Sequence, residues 1–87
     1  MSFSFYILYS VKIDNYYKGI SQDPEERLNY HNQQDKGWTQ RGRPWKLVFE
    51  KRYADRETAE RAETFVKRQK SRSYIEKLIS GKYRLPF

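Results

Sequence analysis

The chain has 87 residues, the length of one small domain, and such a chain buries only about 60% of its unfolded surface. It has no cysteine and one histidine, His31, which excludes disulfide scaffolds, thiolate metal sites and metal sites built on several histidines. Aromatic residues make up 17% of the chain, which argues against disorder. No apolar run approaches the roughly 20 residues that span a bilayer, and the N-terminus lacks the features of a signal peptide. We therefore expect a single domain over residues 1–87, in the cytoplasm and without membrane contact.

The net charge of +7 is unevenly distributed along the chain. Residues 1–35 and 54–63 each carry a net charge of −2, whereas residues 36–53 carry +5 and residues 64–87 carry +6. Two basic blocks favour a polyanionic partner, because neutralising phosphates releases counterions and drives association. A basic protein with a solvated surface and no such partner has the same composition, so charge alone leaves both interpretations open.

Residues 3–11 and 16–20 predict the two strands of a hairpin, because both are rich in β-forming residues and flank a turn-forming pair at 14–15. A two-residue turn at that pair places Lys12 opposite Tyr17. Opposed residues share a face of the sheet, and faces alternate along each strand. Any loop of even length preserves these faces, whereas a bulge would exchange them.

A helix is predicted directly after the hairpin. Asp23 is placed to cap it, Pro24 occupies the first helical position, and Glu26 completes a capping box. We expect this helix to run to about residue 34.

Residues 35–44 hold two glycines and a proline and therefore predict a loop, which is basic. Residues 45–53 predict a third strand that begins at Trp45, whose side chain is expected to pack inside. Within this strand, Leu47 and Phe49 are expected on the same side, because they are two residues apart.

Two further helices complete the predicted elements. Asp55 can cap a helix over residues 56–70, and Ser73 opens a short third helix that ends near residues 80–81. The tail, residues 82–87, either adds a strand or covers the core. The order β-β-α-β-α-α predicts an α+β fold with a small, three-stranded, mainly antiparallel sheet flanked by helices.

Four polar side chains of the hairpin and first helix are predicted to converge. Tyr17 is expected on the same face as Tyr6, with Lys18 on the opposite face. Arg27 and His31 are four residues apart and therefore lie one turn apart on one side of the helix. Two phenols, a guanidinium and an imidazole can thus meet in one small site.

This spacing, together with a glutamate at position 63 of the second helix, resembles the GIY-YIG nuclease superfamily. The triplet that ends at Tyr6 stands where Gly-Ile-Tyr names the first motif, and Tyr17-Lys18-Gly19 stands where Tyr-Ile-Gly names the second. The resemblance covers residues 5–79 and is closest to the small stand-alone bacterial members, which are similar to the N-terminal nuclease half of the excision-repair endonuclease. Three positions depart from the pattern: Ser4 replaces the first glycine, Lys18 replaces the isoleucine, and Ile20 stands where the excision-repair relatives have lysine.

The resemblance implies a metal-dependent endonuclease that cleaves DNA and leaves 5′-phosphate and 3′-hydroxyl ends. Glu63 would hold one Mg²⁺ or Mn²⁺ ion together with phosphate oxygens and water. Tyr6 would help to take the proton of the attacking water, with Tyr17 hydrogen-bonded nearby. Arg27 would stabilise charge on the phosphate, and its cation is expected to lower the pKa of the Tyr6 phenol. His31 would orient the nucleophile or act as a base.

The two basic blocks are predicted to hold DNA on either side of that site. The first combines cations with an aromatic residue suited to unstacked bases, and consists of Lys36, Trp38, Arg41 and Arg43. The second follows the glutamate-bearing helix and consists of Lys67, Arg68, Lys70 and Arg72.

Each candidate also has a purely structural interpretation. Glu63 stands four residues before Lys67, a spacing that commonly gives only an ion pair on a helix surface. The leading hypothesis is an endonuclease acting in repair or recombination on branched or single-stranded DNA, with a protein partner for targeting. The alternatives are a non-catalytic nucleic-acid-binding module on the same scaffold and an adaptor whose basic surface meets an acidic protein.

Overall fold

The computed structural model describes residues 2–33 and 37–87. The elements, in chain order, are β1 (Phe3–Ser10), β2 (Asn15–Ser21), α1 (Pro24–Gln33), a short 3₁₀ helix (Trp38–Gly42), β3 (Trp45–Tyr53), α2 (Arg56–Gln69) and α3 (Arg72–Ile79). The three strands form an antiparallel sheet in the order β2-β1-β3. This confirms the predicted α+β fold and its β-β-α-β-α-α order. None of the helices described is long and apolar enough to cross a membrane.

Helices cover both faces of the sheet. On one face Phe5 and Ile7 of β1 pack against apolar residues of α2 and α3. On the other face Tyr6 and Leu8 pack with Trp45 and with α1. The strict alternation along β1 therefore directs Phe5 and Ile7 towards α2, and Tyr6 and Leu8 towards α1.

The β1–β2 hairpin has a longer turn than the sequence predicted. Residues 11–14 form the turn, so Tyr17 lies opposite Leu8, and the predicted pairing with Lys12 is wrong. Asp14 adopts a left-handed backbone conformation with φ of 50°, which aspartate tolerates better than most residues. Because the turn is still even in length, the faces are as predicted, and Tyr17 shares a face with Tyr6.

A β-bulge in β3 overturns a second prediction. Ile7 pairs with Phe49 but Leu8 pairs with Leu47, so Val48 is an additional residue in the ladder. A bulge places two residues of one strand against one of its neighbour and thereby exchanges the faces beyond it. Leu47 consequently packs on the Tyr6 side and Phe49 on the α2 side, whereas the sequence placed both on one side.

The predicted caps of the first two helices are present. The Asp23 carboxylate accepts a hydrogen bond from the Glu26 backbone N–H at 3.2 Å, and the Asp55 carboxylate accepts one from the Thr58 N–H at 2.8 Å. The third helix instead begins after Ser71, whose hydroxyl accepts a hydrogen bond from the Tyr74 N–H, and the prediction of Ser73 is wrong. Ser71 rather than Ser73 caps the third helix because Lys70, which directly follows α2, adopts a left-handed conformation that reverses the chain at once.

The predicted loop at 35–44 and the tail at 82–87 can also be compared with the structure. The predicted loop at 35–44 contains a 3₁₀ helix over Trp38–Gly42. The tail covers the core rather than adding a strand: Leu85 is buried, and the side chains of Lys51 and Tyr53 donate hydrogen bonds to the main-chain oxygen of Phe87.

Candidate active site

The Tyr6 side chain lies across the backbone of Gly19. Tyr6 is on the central strand and only 1% exposed, and its partner in the ladder is Gly19 on the edge strand β2. A Cβ atom built on Gly19 would lie 2.6 Å from the Tyr6 hydroxyl and 2.8 Å from Cζ. The absence of a side chain at Gly19 is what lets the phenol extend over β2, so the tyrosine of the first motif packs against the glycine of the second.

Tyr17 connects the phenol of Tyr6 to α1. Its ring centroid lies 6.4 Å from that of Tyr6 and 4.6 Å from that of His31. The buried Trp45 ring meets Tyr17 nearly edge-on at 6.3 Å. These contacts form one aromatic cluster on the α1 side of the sheet, which holds both tyrosines in defined positions.

Arg27 supplies the positive charge of the site. It is an exposed residue of α1, and its guanidinium lies 4.9 Å from the centroid of the Tyr30 ring. Its charge acts to lower the pKa of the nearby Tyr6 phenol. It also lines an open groove of about 460 Å³ together with Arg56. An exposed cation on an open groove is suitably placed to meet a phosphate group.

His31 is buried and is 3% exposed, one turn after Arg27 on α1. Neither ring nitrogen has a hydrogen-bond partner among residues 2–33 and 37–87. Burial, and then the charge of Arg27, lowers the pKa of His31 below its usual value of about 6.5. At neutral pH the imidazole is therefore uncharged, with a nitrogen lone pair available.

Glu63 approaches the site from α2. Its side chain is 21% exposed, and its carboxylate forms an ion pair with the Lys67 ammonium at 3.4 Å. The charge of Glu63 acts to raise the pKa values of both Tyr6 and Lys18, which lie on opposite faces of the sheet. Glu63 therefore lies close to the edge strand β2, where both faces can be reached.

The pKa of the Tyr6 phenol is raised rather than lowered, contrary to the expectation from sequence. The hydrogen bond and charge of Arg27 act in the predicted direction, but burial is the larger cause and raises the pKa. The nearby charges of Tyr17 and Glu63 raise it further. Desolvation disfavours the phenolate because a buried anion loses its hydration. Tyr6 is consequently protonated at neutral pH in the chain by itself.

The donor set fits a hard divalent cation rather than zinc. No group of three His, Cys, Asp or Glu residues that could hold a metal ion occurs among the described residues. Mg²⁺ commonly binds through one or two carboxylates, keeps several water ligands and takes substrate phosphate oxygens. The partly exposed carboxylate of Glu63 suits that mode of binding.

The structure places the predicted DNA-binding residues in different environments. Arg41 is exposed on the 3₁₀ helix, whereas the guanidinium of Arg43 donates to the backbone oxygen of Asn32 at 3.4 Å. Lys36 and the side chain of Trp38 lie outside the described residues.

The second predicted group lies at the junction of α2 and α3. Lys67, Arg68 and Lys70 are exposed. Arg72 already forms two ion pairs within the chain: its guanidinium donates to the Asp14 carboxylate at 2.5 Å and to the Glu76 carboxylate at 3.2 Å. Arg72 thus ties α3 to the hairpin turn, and its charge is largely offset by these two carboxylates.

Asn32 is a positioning residue that the sequence did not indicate. Its side-chain oxygen accepts from the Trp45 backbone N–H at 2.6 Å, and its side-chain nitrogen donates to the Trp45 carbonyl at 3.2 Å. The side chain thereby continues the ladder of β3 and fixes the end of α1, the helix that carries Arg27 and His31. No motif marks this role, because it joins residues 13 apart that meet only in the folded chain.

An antiparallel sheet with paired tyrosines, flanked by one helix with an arginine and another with a glutamate, has the arrangement of a small α+β nuclease domain. A family model described as the GIY-YIG catalytic domain matches residues 2–78, and the chain belongs to this family of nucleases. The solution NMR structure of the UPF0213 protein BH0048 from Bacillus halodurans is similar, with 34% identity and a TM-score of 0.60. The match covers 94% of this chain and 86% of that one. A comparison with curated proteins gave no match.

Proposed function

We propose that the chain is a metal-dependent endonuclease that hydrolyses phosphodiester bonds of DNA and leaves 5′-phosphate and 3′-hydroxyl ends. The observation that supports this most directly is the buried Tyr6 phenol, whose ring lies 6.4 Å from that of Tyr17 and whose pKa is affected by the charges of Arg27 and Glu63. Nuclease chemistry requires a proton acceptor for water and a cation for the phosphate, and these residues would supply both once a metal ion is bound.

Arg27 would bind the phosphate and stabilise the charge that develops on its oxygens in the transition state. It is exposed towards solvent, so a phosphate can reach it without displacing the core. Because the charge of Arg27 also acts on the nearby Tyr6 phenol, Arg27 would hold the reacting water and the phosphate in one arrangement.

Tyr6 would accept the proton of the attacking water, with Tyr17 beside it. Its raised pKa means that Arg27 alone does not prepare the phenolate in the free chain. His31, uncharged and in ring contact with Tyr17, would orient this tyrosine or assist as a base.

Glu63 would hold Mg²⁺ or Mn²⁺. When bound, the ion would supply the additional positive charge that favours a phenolate or hydroxide and offsets the charge of the phosphate. Glu63 is held by Lys67 in an i,i+4 pair that is half-exposed and therefore weak, so its carboxylate can be released for the ion.

The charge distribution supports DNA as the substrate. The catalytic candidates all lie in the two segments of net charge −2, and the segments of +5 and +6 flank them. Within these flanks, the predicted groups around Arg41 and around Lys67 would hold the phosphate backbone on both sides of a less basic centre. We include branched or single-stranded DNA, a role in repair or recombination and a targeting partner in the proposal.

Cleavage of single-stranded, nicked and branched DNA in Mg²⁺ or Mn²⁺ tests the proposal. We expect wild-type protein to cut at least one substrate and EDTA to abolish cutting, with nicks that ligase can reseal because their ends are 5′-phosphate and 3′-hydroxyl. Arg27→Ala should lower the cleavage rate by about 10²–10³-fold. Tyr83→Phe is the matched control for Tyr17→Phe, because Tyr83 is an exposed tyrosine outside the site. Equal rates for Tyr17→Phe and Tyr83→Phe would contradict the assigned role of Tyr17.

A second candidate is a nucleic-acid-binding module without catalysis. The raised pKa of Tyr6 favours it, because a protonated, buried phenol is a poor base. In that case the wild type and Arg27→Ala would leave all three substrates uncut in both metals while still binding them.

A further inference from the structure

A concave pocket of about 200 Å³ lies between β2 and the junction of α2 and α3, on the face of the sheet opposite to Tyr17. Lys18 of β2 and Lys67 of α2 line it, together with Lys70 and Arg72 from the junction. Three separate parts of the chain therefore direct cations into one concavity. Asn15 and Ser71 add polar groups to the same wall.

The positive charges of the pocket are unequally compensated. Arg72 is paired with Asp14 and Glu76, and Lys67 is paired with Glu63. In the described part of the chain, neither Lys18 nor Lys70 forms an ion pair with an acidic side chain.

Lys18 is half-buried, and burial, followed by the charge of Lys67, lowers its pKa. The charge of Glu63 acts in the opposite direction but does not reverse the shift. An anion bound in the pocket would reduce the repulsion between the two lysines.

Lys70 occupies a position where glycine is the usual residue. It directly follows α2, and its backbone has φ of 48° and ψ of 39°. Residues other than glycine and asparagine rarely adopt this left-handed conformation. The backbone of this cap requires no lysine. The lysine side chain does, however, add a cation to the pocket.

We infer that Lys18, Lys67 and Lys70 bind a phosphate group of the nucleic-acid strand outside the catalytic centre. Lys67 and Lys70 are four and seven residues after Glu63, so they lie about 6 and 10 Å further along α2. The pocket would therefore hold a phosphate near, but not identical to, the one that is cleaved, an assignment that rests on the proposed function.

Binding of a fluorescein-labelled single strand in EDTA tests this inference without requiring cleavage. Lys18→Gln and Lys70→Gly remove one charge each, and Lys70→Gly suits the left-handed backbone, so its fold is expected to persist. Lys46→Gln is the matched control, because Lys46 is an exposed lysine on β3, the opposite edge of the sheet. We expect each pocket variant to weaken binding about three- to tenfold and to lower the slope of log K against log salt by no more than about 0.7, the value for one complete phosphate contact.

The double variant Lys18→Gln/Lys70→Gly distinguishes one shared phosphate from a diffuse basic surface. If both lysines hold the same phosphate, the double variant should lose less affinity than the product of the two single losses. Losses of affinity that multiply in the double variant, or an equal loss of affinity in Lys46→Gln, would overturn the proposed phosphate site. Comparing a strand with and without a 5′-phosphate identifies which phosphate is bound. Unchanged affinity indicates an internal phosphodiester. A gain in affinity from the 5′-phosphate that the double variant removes indicates a strand end.

The result is separable from the proposed nuclease activity. Wild-type protein that cleaves DNA while pocket variants bind like Lys46→Gln would overturn the pocket and leave the nuclease proposal intact. Protein that cleaves nothing but loses affinity in the pocket variants would overturn the nuclease proposal and leave phosphate binding intact. Wild-type protein that does not bind the strand would overturn the pocket, and the cleavage assay would decide the nuclease proposal by itself.

Discussion

Tyr6 and Gly19 face each other across the β1–β2 ladder, and the phenol occupies the space that a side chain at Gly19 would require. The tyrosine of the first motif and the glycine of the second are therefore one structural unit. The glycine is needed for space rather than for its backbone freedom, because the atoms that an added Cβ would meet belong to the Tyr6 side chain.

Gly19→Ala is expected to displace the Tyr6 ring and to destabilise the fold by about 1–3 kcal/mol, the usual cost of overpacking. Cleavage should fall by about 100-fold, because a displacement of about 1 Å is enough to misalign a reacting group. In a Tyr6→Phe background the closest contact is removed, so the loss of stability should be smaller. Urea unfolding of the wild type, the two single variants and the double variant measures this coupling. An equal loss in both backgrounds would show that the two residues do not compete for space.

Asn32→Ala is expected to lower the free energy of unfolding by about 2 kcal/mol, since it leaves the backbone N–H and C=O of Trp45 without the partners that they have now. Asn29→Ala is the control on the same helix, because Asn29 is exposed. Surface substitutions of that kind usually change stability by less than about 0.5 kcal/mol. Similar unfolding midpoints for the two variants would show that the Asn32 side chain does not fix α1 to β3.

His31 makes stability dependent on pH. Its pKa in the folded protein is below the value of about 6.5 expected in the unfolded chain, so below that pH the unfolded state takes up the proton more readily. The free energy of unfolding should therefore fall as the pH is lowered from 7.5 towards 5. His31→Leu should remove this loss, because leucine does not titrate. Urea midpoints at both pH values test the prediction, and a parallel loss in wild type and variant would contradict it.

Lys70→Gly is expected to leave the protein as stable as the wild type or more stable by up to about 1 kcal/mol. The reason is that glycine adopts the left-handed conformation of this helix cap without steric cost. Thermal unfolding measures the change. A clear loss of stability would mean that the Lys70 side chain has a structural role in the chain without nucleic acid.

The features that the sequence predicted well depend on local rules. The face shared by Tyr6 and Tyr17 follows from the alternation of a strand and an even turn, and it holds although the turn is four residues rather than two. The caps at Asp23 and Asp55 likewise depend only on nearby residues. Such features need no knowledge of the packing between elements.

The features that were missed depend on contacts between distant parts of the chain. The bulge at Val48 arises from the pairing of β3 with β1, and nothing in the strand's own composition marks it. The pKa of Tyr6 is raised because two layers bury the phenol, whereas the sequence indicated only the neighbouring cation. Lys18 was correctly placed on the face opposite to Tyr17, but its proximity to Lys67 requires the packing of α2 on β2.

The most direct test of the assigned site compares Glu63→Gln with Glu60→Gln in a DNA cleavage assay with Mg²⁺ or Mn²⁺. Both residues are glutamates of α2 that form i,i+4 ion pairs, but Glu60 pairs with Arg56 and is exposed. We predict that Glu63→Gln lowers the cleavage rate by at least about 100-fold while Glu60→Gln cleaves at the wild-type rate. If Glu63→Gln cleaved at the wild-type rate, or if both variants lost the same factor in cleavage rate, a metal-dependent nuclease site at Glu63 would be contradicted.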